Sequence, residues 1–157
     1  MKIRRLIADE LPRLREYWKK HWGDEFVIAY GVIYRPDTLD GFIALDGDEW
    51  VGEVTYTLTG DDCEIVSIDS LREGQGIGTQ LLKQAVEQAR KKDCKRIFLI
   101  TTNDNLNALG FYQKRGFELV AIHRRAVNES RKIKPSIPFV GMNNIPLRDE
   151  IELELVL

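Results

Sequence analysis

The sequence predicts an α/β fold: a mixed, mostly antiparallel sheet that carries one parallel βαβ unit and flanking helices. Three observations predict it. Phe42 to Leu45 and Val51 to Thr59, rich in β-branched and aromatic residues, flank the turn-forming Asp46-Gly47-Asp48 and make a hairpin. Glu64 to Leu71, a helical pattern from Ile77 to about Lys92, and Arg96 to Thr102 follow as strand, crossover helix and strand, which implies parallel strands and a right-handed crossover. Near the end, Ile151, Leu153, Leu155 and Leu157 alternate with Glu150, Glu152 and Glu154, the period of a strand with one face buried.

The remaining elements follow in order. Lys2 to Ile7 is a short strand, and Asp9 is placed to N-cap a helix with Leu11, Leu14, Trp18 and Trp22 on one side, Pro12 in its first turn and its end at Gly23. Gly23 to Asp40 lacks a clear period and is assigned as loop with room for a short helix or strand. After Gly60-Asp61-Asp62 comes the βαβ unit, whose helix sets Ile77, Leu81, Leu82, Ala85, Val86 and Ala89 on one stripe. A helix from about Asn105 to Arg115 ends at Gly116, a left-handed cap. Phe117 to Val127 is a strand, followed by a loop of about twenty residues with Pro135, Pro138, Gly141 and Pro146, a length usually found in functional or mobile segments. With no repeat or linker, residues 1–157 are expected to form a single domain.

Composition excludes several function classes. The chain has 157 residues, 43% hydrophobic and 31% charged, with a formal charge of -2, so nothing attracts nucleic acid or an anionic membrane in general. The basic groups Arg90-Lys91-Lys92 and Arg124-Arg125 suit a helix C-terminus and a strand edge. No uncharged apolar run of about 18 residues and no signal-type apolar segment appears, so a cytoplasmic location is expected. Cys63 and Cys94 provide neither a disulfide framework nor a zinc set, although parallel neighbouring strands would bring the two reduced thiols close; His21 and His123 are isolated, and no metal is expected.

Gly74, Gly76 and Gly78 occupy alternate positions between a strand and a helix. Such a turn presents free backbone N–H groups at the positive end of a helix dipole, and side chains there would block a phosphate. The same turn also occurs merely for tight packing. A Walker loop is excluded because no lysine precedes Thr79, and a dinucleotide fingerprint is disfavoured because the glycines are spaced by two and the next strand ends in Thr101-Thr102.

Glu73-Gly74-Gln75-Gly76-Ile77-Gly78 resembles the Gln/Arg-x-x-Gly-x-Gly/Ala cofactor motif of the GNAT acetyltransferase superfamily, with Glu73 in place of Gln or Arg and Arg72 beside it. Asn105 to Phe117 resembles that superfamily's Asn-x-x-Ala-x-x-x-Tyr-x-x-x-Gly-Phe block throughout. The resemblance is clear from about Phe42 to Val127. It implies a sheet that splays between the strands ending at Leu71 and Thr102, with acetyl-coenzyme A in the gap as co-substrate. It implies that the pantetheine amides bond to the backbone of Ile68, Asp69 and Ser70. The pyrophosphate would rest on the N–H groups of Gly74, Gln75, Gly76, Ile77, Gly78 and Thr79, with Asn105, Ala108 and Phe111 along the pantetheine.

Acetyl transfer to an amine needs a neutral nucleophile, oxyanion stabilisation and a proton for the thiolate. Tyr112, a phenol of pKa near ~10, suits the last task, and it lies seven residues from Asn105, about 10 Å along the same helix face; alone it would be an ordinary core aromatic. Glu64 is the candidate base, balanced against a solvated strand-end charge, with Asp69 second and set on the opposite face by strand alternation. A carboxylate of ordinary pKa, about 4.3, is a poor base for an ammonium near ~10.4, so it must be buried, act through water or only orient the amine. A backbone N–H near Ile68 or Asp69 would meet the oxyanion. Glu150, bordering the long loop, is the candidate for attracting a cationic acceptor, whether small molecule or peptide amine. Two rival readings stay open, a non-catalytic acyl-coenzyme A binding module and a plain nucleotide-binding domain. The sequence leaves the assembly state open, with a homodimer a common arrangement for soluble proteins.

Overall fold

The structure, a computed structural model, describes residues 1–157. In chain order the elements are β1 (Lys2–Arg5), α1 (Leu11–Trp22), β2 (Val27–Ala29), β3 (Val32–Tyr34), β4 (Asp40–Asp46), β5 (Glu49–Thr59) and β6 (Asp62–Ser70). After these come α2 (Ile77–Lys91), β7 (Arg96–Thr102), α3 (Leu106–Gln113), β8 (Glu118–His123), α4 (Ala126–Ile133) and β9 (Glu150–Val156). They gather into two compact units, Met1–Val27 with Tyr34–Ile97 and Leu157, and Ile28–Ile33 with Phe98–Val156. The expected α/β class holds: helices alternate with strands, and the pairing within each unit is antiparallel.

In the first unit β1, β4, β5 and β6 pair antiparallel in that order. Helix α1 begins after a 3-10 turn at Ala8–Glu10, and no side chain caps it. The expected cap by Asp9 is therefore corrected. Glu10 supplies the restraint instead, accepting from the Ile7 N–H at 3.1 Å and pairing bidentately with Arg4 at 2.7 and 2.8 Å, which holds its carboxyl below the usual range. As expected, α1 stops at Gly23, whose φ of +82° is left-handed. Leu14, Tyr17 and Trp18 bury against Leu39, Ile43 and Trp50, each large apolar side chain contributing about 1.5–3 kcal/mol. Helix α2 places Ile77, Leu81, Ala85 and Ala89 against β4, β5 and β6. At Gly52 the approach is so close that a Cβ would lie 2.8 Å from the Asp69 carbonyl and 2.9 Å from Ile77. Cys63 and Cys94 are both free and buried, and burial pushes the Cys63 thiol up to about 12.

Two bulges re-aim this unit's strands. Ala44 pairs with Gly52 but Leu45 with Trp50, so β5 holds an extra residue at Val51 and Trp50 turns to the α1 side. Thr55 pairs with Ser67 but Tyr56 with Ile65, so β6 holds an extra residue at Val66.

In the second unit β9 pairs antiparallel with β8. The strand expected to reach Val127 ends at His123, and Val127 lies in α4. The strand gives way where Arg125 takes a left-handed φ of +62°, its N–H donates to Asp149 at 2.8 Å, and the chain enters a helix that buries Val127 and Ser130. The long loop is thus a helix followed by a tied segment. Arg131 donates to the carbonyls of Ile137, Pro138 and Leu147, while Asp104 accepts from the Met142 N–H. Strand β9 departs from clean alternation, because Glu150 and Leu153 are buried on opposite faces while Ile151 and Leu155 are half-buried. Between Gly23 and Asp40 the unpatterned stretch contains the β2–β3 hairpin, turned by Tyr30 and Gly31 at φ +45° and +78°, the signs a two-residue I′ turn requires. No helix is long and apolar enough to cross a membrane.

Candidate functional site

At the head of α2, Gly76 takes the N-cap position at φ +73° and no side chain caps the helix. Gly74, at φ +74°, precedes it, and a Cβ on either glycine would meet nothing within 4 Å. Gln75 lies between them, and Ile77, Gly78 and Thr79 form the first turn, with Ile77 anchored in the core. No acidic residue occupies that turn. An unobstructed turn at the positive end of a 15-residue helix can receive phosphate. Arg72, beside the motif's departing Glu73, is pinned to Asp46 at 2.5 Å and Glu49 at 3.0 Å, across the β4–β5 turn.

Ahead of the turn, the face of β5 and β6 turned to α1 carries a row of polar groups. Directly opposed positions share a face, and Thr57 opposes Glu64, Thr55 opposes Ser67 and Glu53 opposes Asp69. The Val66 bulge therefore puts Glu64 and Asp69 on the same face, which corrects the expectation of opposite faces from simple alternation. Glu64 is 8% exposed and accepts from the Tyr34 hydroxyl at 2.6 Å, so it is not a solvated strand-end charge. Burial, with Glu64 beside it, raises the Tyr34 phenol above its ordinary value. Asp69 accepts from the Tyr17 hydroxyl at 3.2 Å and from the Ser70 N–H at 2.8 Å. The Ser70 hydroxyl donates to the Arg72 carbonyl, and Ile68 pairs with Val54 in the ladder.

Glu53 escaped sequence reasoning. It is 0% exposed, its Oε2 accepts from the Ser67 hydroxyl at 2.8 Å, and Ser67 shares a second hydrogen bond with Thr55. Its Oε1 accepts no hydrogen bond within the protein. Burial, reinforced by Asp69 and opposed by the Ser67 hydroxyl, pushes the carboxyl up to about 8. The signal was present in the run Trp50-Val51-Gly52-Glu53-Val54, where a lone charge interrupts a strand otherwise suited to burial. Nearby, a surface cavity of about 320 Å³ is lined by Arg13, Tyr17, Lys20, His21, Trp50 and Leu71, among others.

In the second unit, Asn105 is the N-cap of α3: its Oδ1 accepts from the Ala108 N–H at 3.2 Å and its amide donates to Thr101. Tyr112 is 4% exposed, its ring centroid 5.1 and 5.4 Å from those of Phe111 and Phe117 in edge-on arrangements. Phe111 is half-buried beneath the Arg115 guanidinium. Glu150 is buried, accepting from the Tyr30 N–H at 2.7 Å and from Ser130 at 3.5 Å, and burial raises its carboxyl above the ordinary value. Tyr30 stacks on His123, which pairs with Glu152 at 3.2 Å. Glu150 thus spends its oxygens inside the protein, fixing the hairpin tip.

Fold and glycine turn together define an α/β protein with an open, uncapped helix N-terminus. The chain matches the Acetyltransferase (GNAT) family over residues 3–117. It is 51% identical over 140 residues to the uncharacterized protein YdhI of Bacillus subtilis (strain 168), covering 88% of this chain and 87% of that one. Among solved structures, an acetyltransferase from Bacillus subtilis in complex with CoA shares 25% identity over 99% of both chains at a TM-score of 0.70. An IAA acetyltransferase from Bacillus cereus ATCC 14579 has the same fold, with a TM-score of 0.73, 23% identity and 99% coverage of both chains. This chain belongs to the GNAT acetyltransferase family.

Proposed function

We propose that the protein is a single-domain N-acetyltransferase that moves an acetyl group from acetyl-coenzyme A to the primary amine of a small molecule or peptide, by direct attack in a ternary complex. One observation carries the reading: the open, uncapped Gly74–Gly76 turn at the head of α2, inside the family-matched region. Supporting it, a related Bacillus subtilis acetyltransferase is in complex with CoA. The backbone N–H groups of Gly74 to Thr79 hold the pyrophosphate, and the backbone of Ile68, Asp69 and Ser70 pairs with the pantetheine amides, with Asn105, Ala108 and Phe111 along the same arm. Tyr112 protonates the departing thiolate. Glu64, with Tyr34 donating to it, receives or orients the amine on the α1 side of β6.

A turnover screen with acetyl-coenzyme A against polyamines, aminoglycosides, amino acids and peptides tests the activity. Calorimetry with coenzyme A, ATP and NAD tests the cradle, and tighter binding of either nucleotide than of coenzyme A refutes it. Tyr112→Phe keeps the ring packing and removes the proton donor. It is expected to lower kcat by roughly 10²-fold or more with coenzyme A affinity unchanged. An undiminished kcat removes Tyr112 as the acid.

A further inference from the structure

We propose that Glu53 is a positioning residue for proton removal from the acceptor amine, acting through Asp69, which it faces directly across β5 and β6. The inference rests on the acetyltransfer reading above. Its geometry lies wholly within the first unit: Glu53 and Asp69 are ladder partners, so their Cβ atoms stand about 5 Å apart on one face. Glu53 is fully buried and holds one oxygen on Ser67, while Oε1 has no partner. Asp69 is half-buried, and the Tyr17 hydroxyl that donates to it belongs to a ring lining the surface cavity. The groups facing Glu53 are few. Asp69 on β6 and Tyr17 on α1 are the titratable ones, and β4 opposes it with Ile43.

The pair answers a chemical need. An ammonium of pKa near ~10.4 gives its proton poorly to an ordinary carboxylate, whereas two carboxylates that repel each other in a buried setting share a proton with higher affinity. Burial and Asp69 push Glu53 up to about 8, so Glu53 ionises fully only on the alkaline side of neutrality. In the step we assign, Glu64 keeps only the orienting role, one ammonium N–H bond breaks and its proton passes to the Asp69 carboxylate and on to Glu53 Oε1, forming a neutral acid. The freed nitrogen lone pair attacks the thioester carbon and the C–S bond breaks. A second proton leaves nitrogen as the amide forms and replaces the one Tyr112 gives to the thiolate. The pair returns its proton to solvent before the next turnover.

The test is the pH dependence of kcat/KM, measured with acetyl-coenzyme A and the best amine from the screen. The unsubstituted protein is expected to show a rising limb near pH 8. Glu53→Gln should move the limb to lower pH and reduce the plateau about tenfold or more, with coenzyme A affinity intact. Ser67→Ala removes the donor that favours ionised Glu53 and should move the limb upward. Infrared difference spectra against Glu53→Gln should show a protonated carboxyl that disappears through the same pH range. A purely structural Glu53 would scale the rate equally at every pH, and superimposable normalised profiles overturn the inference while the acetyltransfer reading stands. Should Glu53→Gln not fold, an unmoved limb in Ser67→Ala overturns it alone. If the unsubstituted protein acetylates none of the amines, both fall together.

Discussion

Glu53 makes stability depend on pH in a direction opposite to most carboxyls. Its folded value of about 8 lies above the ordinary 4.5, so the native state binds the proton more tightly than the unfolded chain does. That contribution is fully present below about pH 4.5 and fades as pH rises through about 8. Melting temperatures of the unsubstituted protein should therefore fall between those limits more steeply than those of Glu53→Gln; parallel curves would contradict the assignment. At the same scale, Gly76→Ala must hold a Cβ at φ +73°, a strain of about 1–3 kcal/mol. Calorimetry should register at least about tenfold weaker coenzyme A uptake, since relaxing that angle turns the amides aside. The glycines were legible in the sequence because only a narrow set of residues permits such a turn. For Glu53 the apolar neighbours signal burial, but its meaning depends on what faces it across a ladder whose register cannot be read from one strand.

Individual elements carry a different lesson. The βαβ unit was legible nearly to the residue, Arg96 to Thr102 included, since a long apolar stripe between two β-branched runs admits few readings. Helix α4 was not. Residues 118 to 127 continue a β-like pattern, and the strand stops only because Asp149 captures the Arg125 N–H from 24 positions away. The faces of Glu64 and Asp69 depart from simple alternation for a similar reason, a bulge at Val66 imposed by pairing with β5. Helix α3 offers a direct test of an element's own chemistry. Asn105→Ala removes the cap on the Ala108 N–H and is expected to cost about 1 kcal/mol, read by thermal or denaturant unfolding. Coenzyme A affinity measured on the same variant separates the cap from a pantetheine contact. In the first unit, Gly52→Ala should cost about 1–3 kcal/mol as its methyl is forced against Asp69 and Ile77.

At the level of the whole molecule, membership of the acetyltransferase family was within reach of the sequence because two motifs in register are hard to produce by chance. The structure of residues 23–40 and 130–149 was not, since tertiary partners organise them: Glu150 for the Tyr30 N–H, Asp104 and Arg131 for the loop. Glu150→Ala should accordingly raise the hydrogen-exchange rate at Tyr30 and its hairpin neighbours, an effect invisible to any reading of that segment alone.

The Tyr30–Glu150 hydrogen bond spans 120 positions. During synthesis from the N-terminus, residues 28–33 must wait for about 120 further residues to emerge before their anchor exists. Nascent chains arrested before Glu150 should show this segment open to protease, and chains arrested well beyond β9 should show it protected.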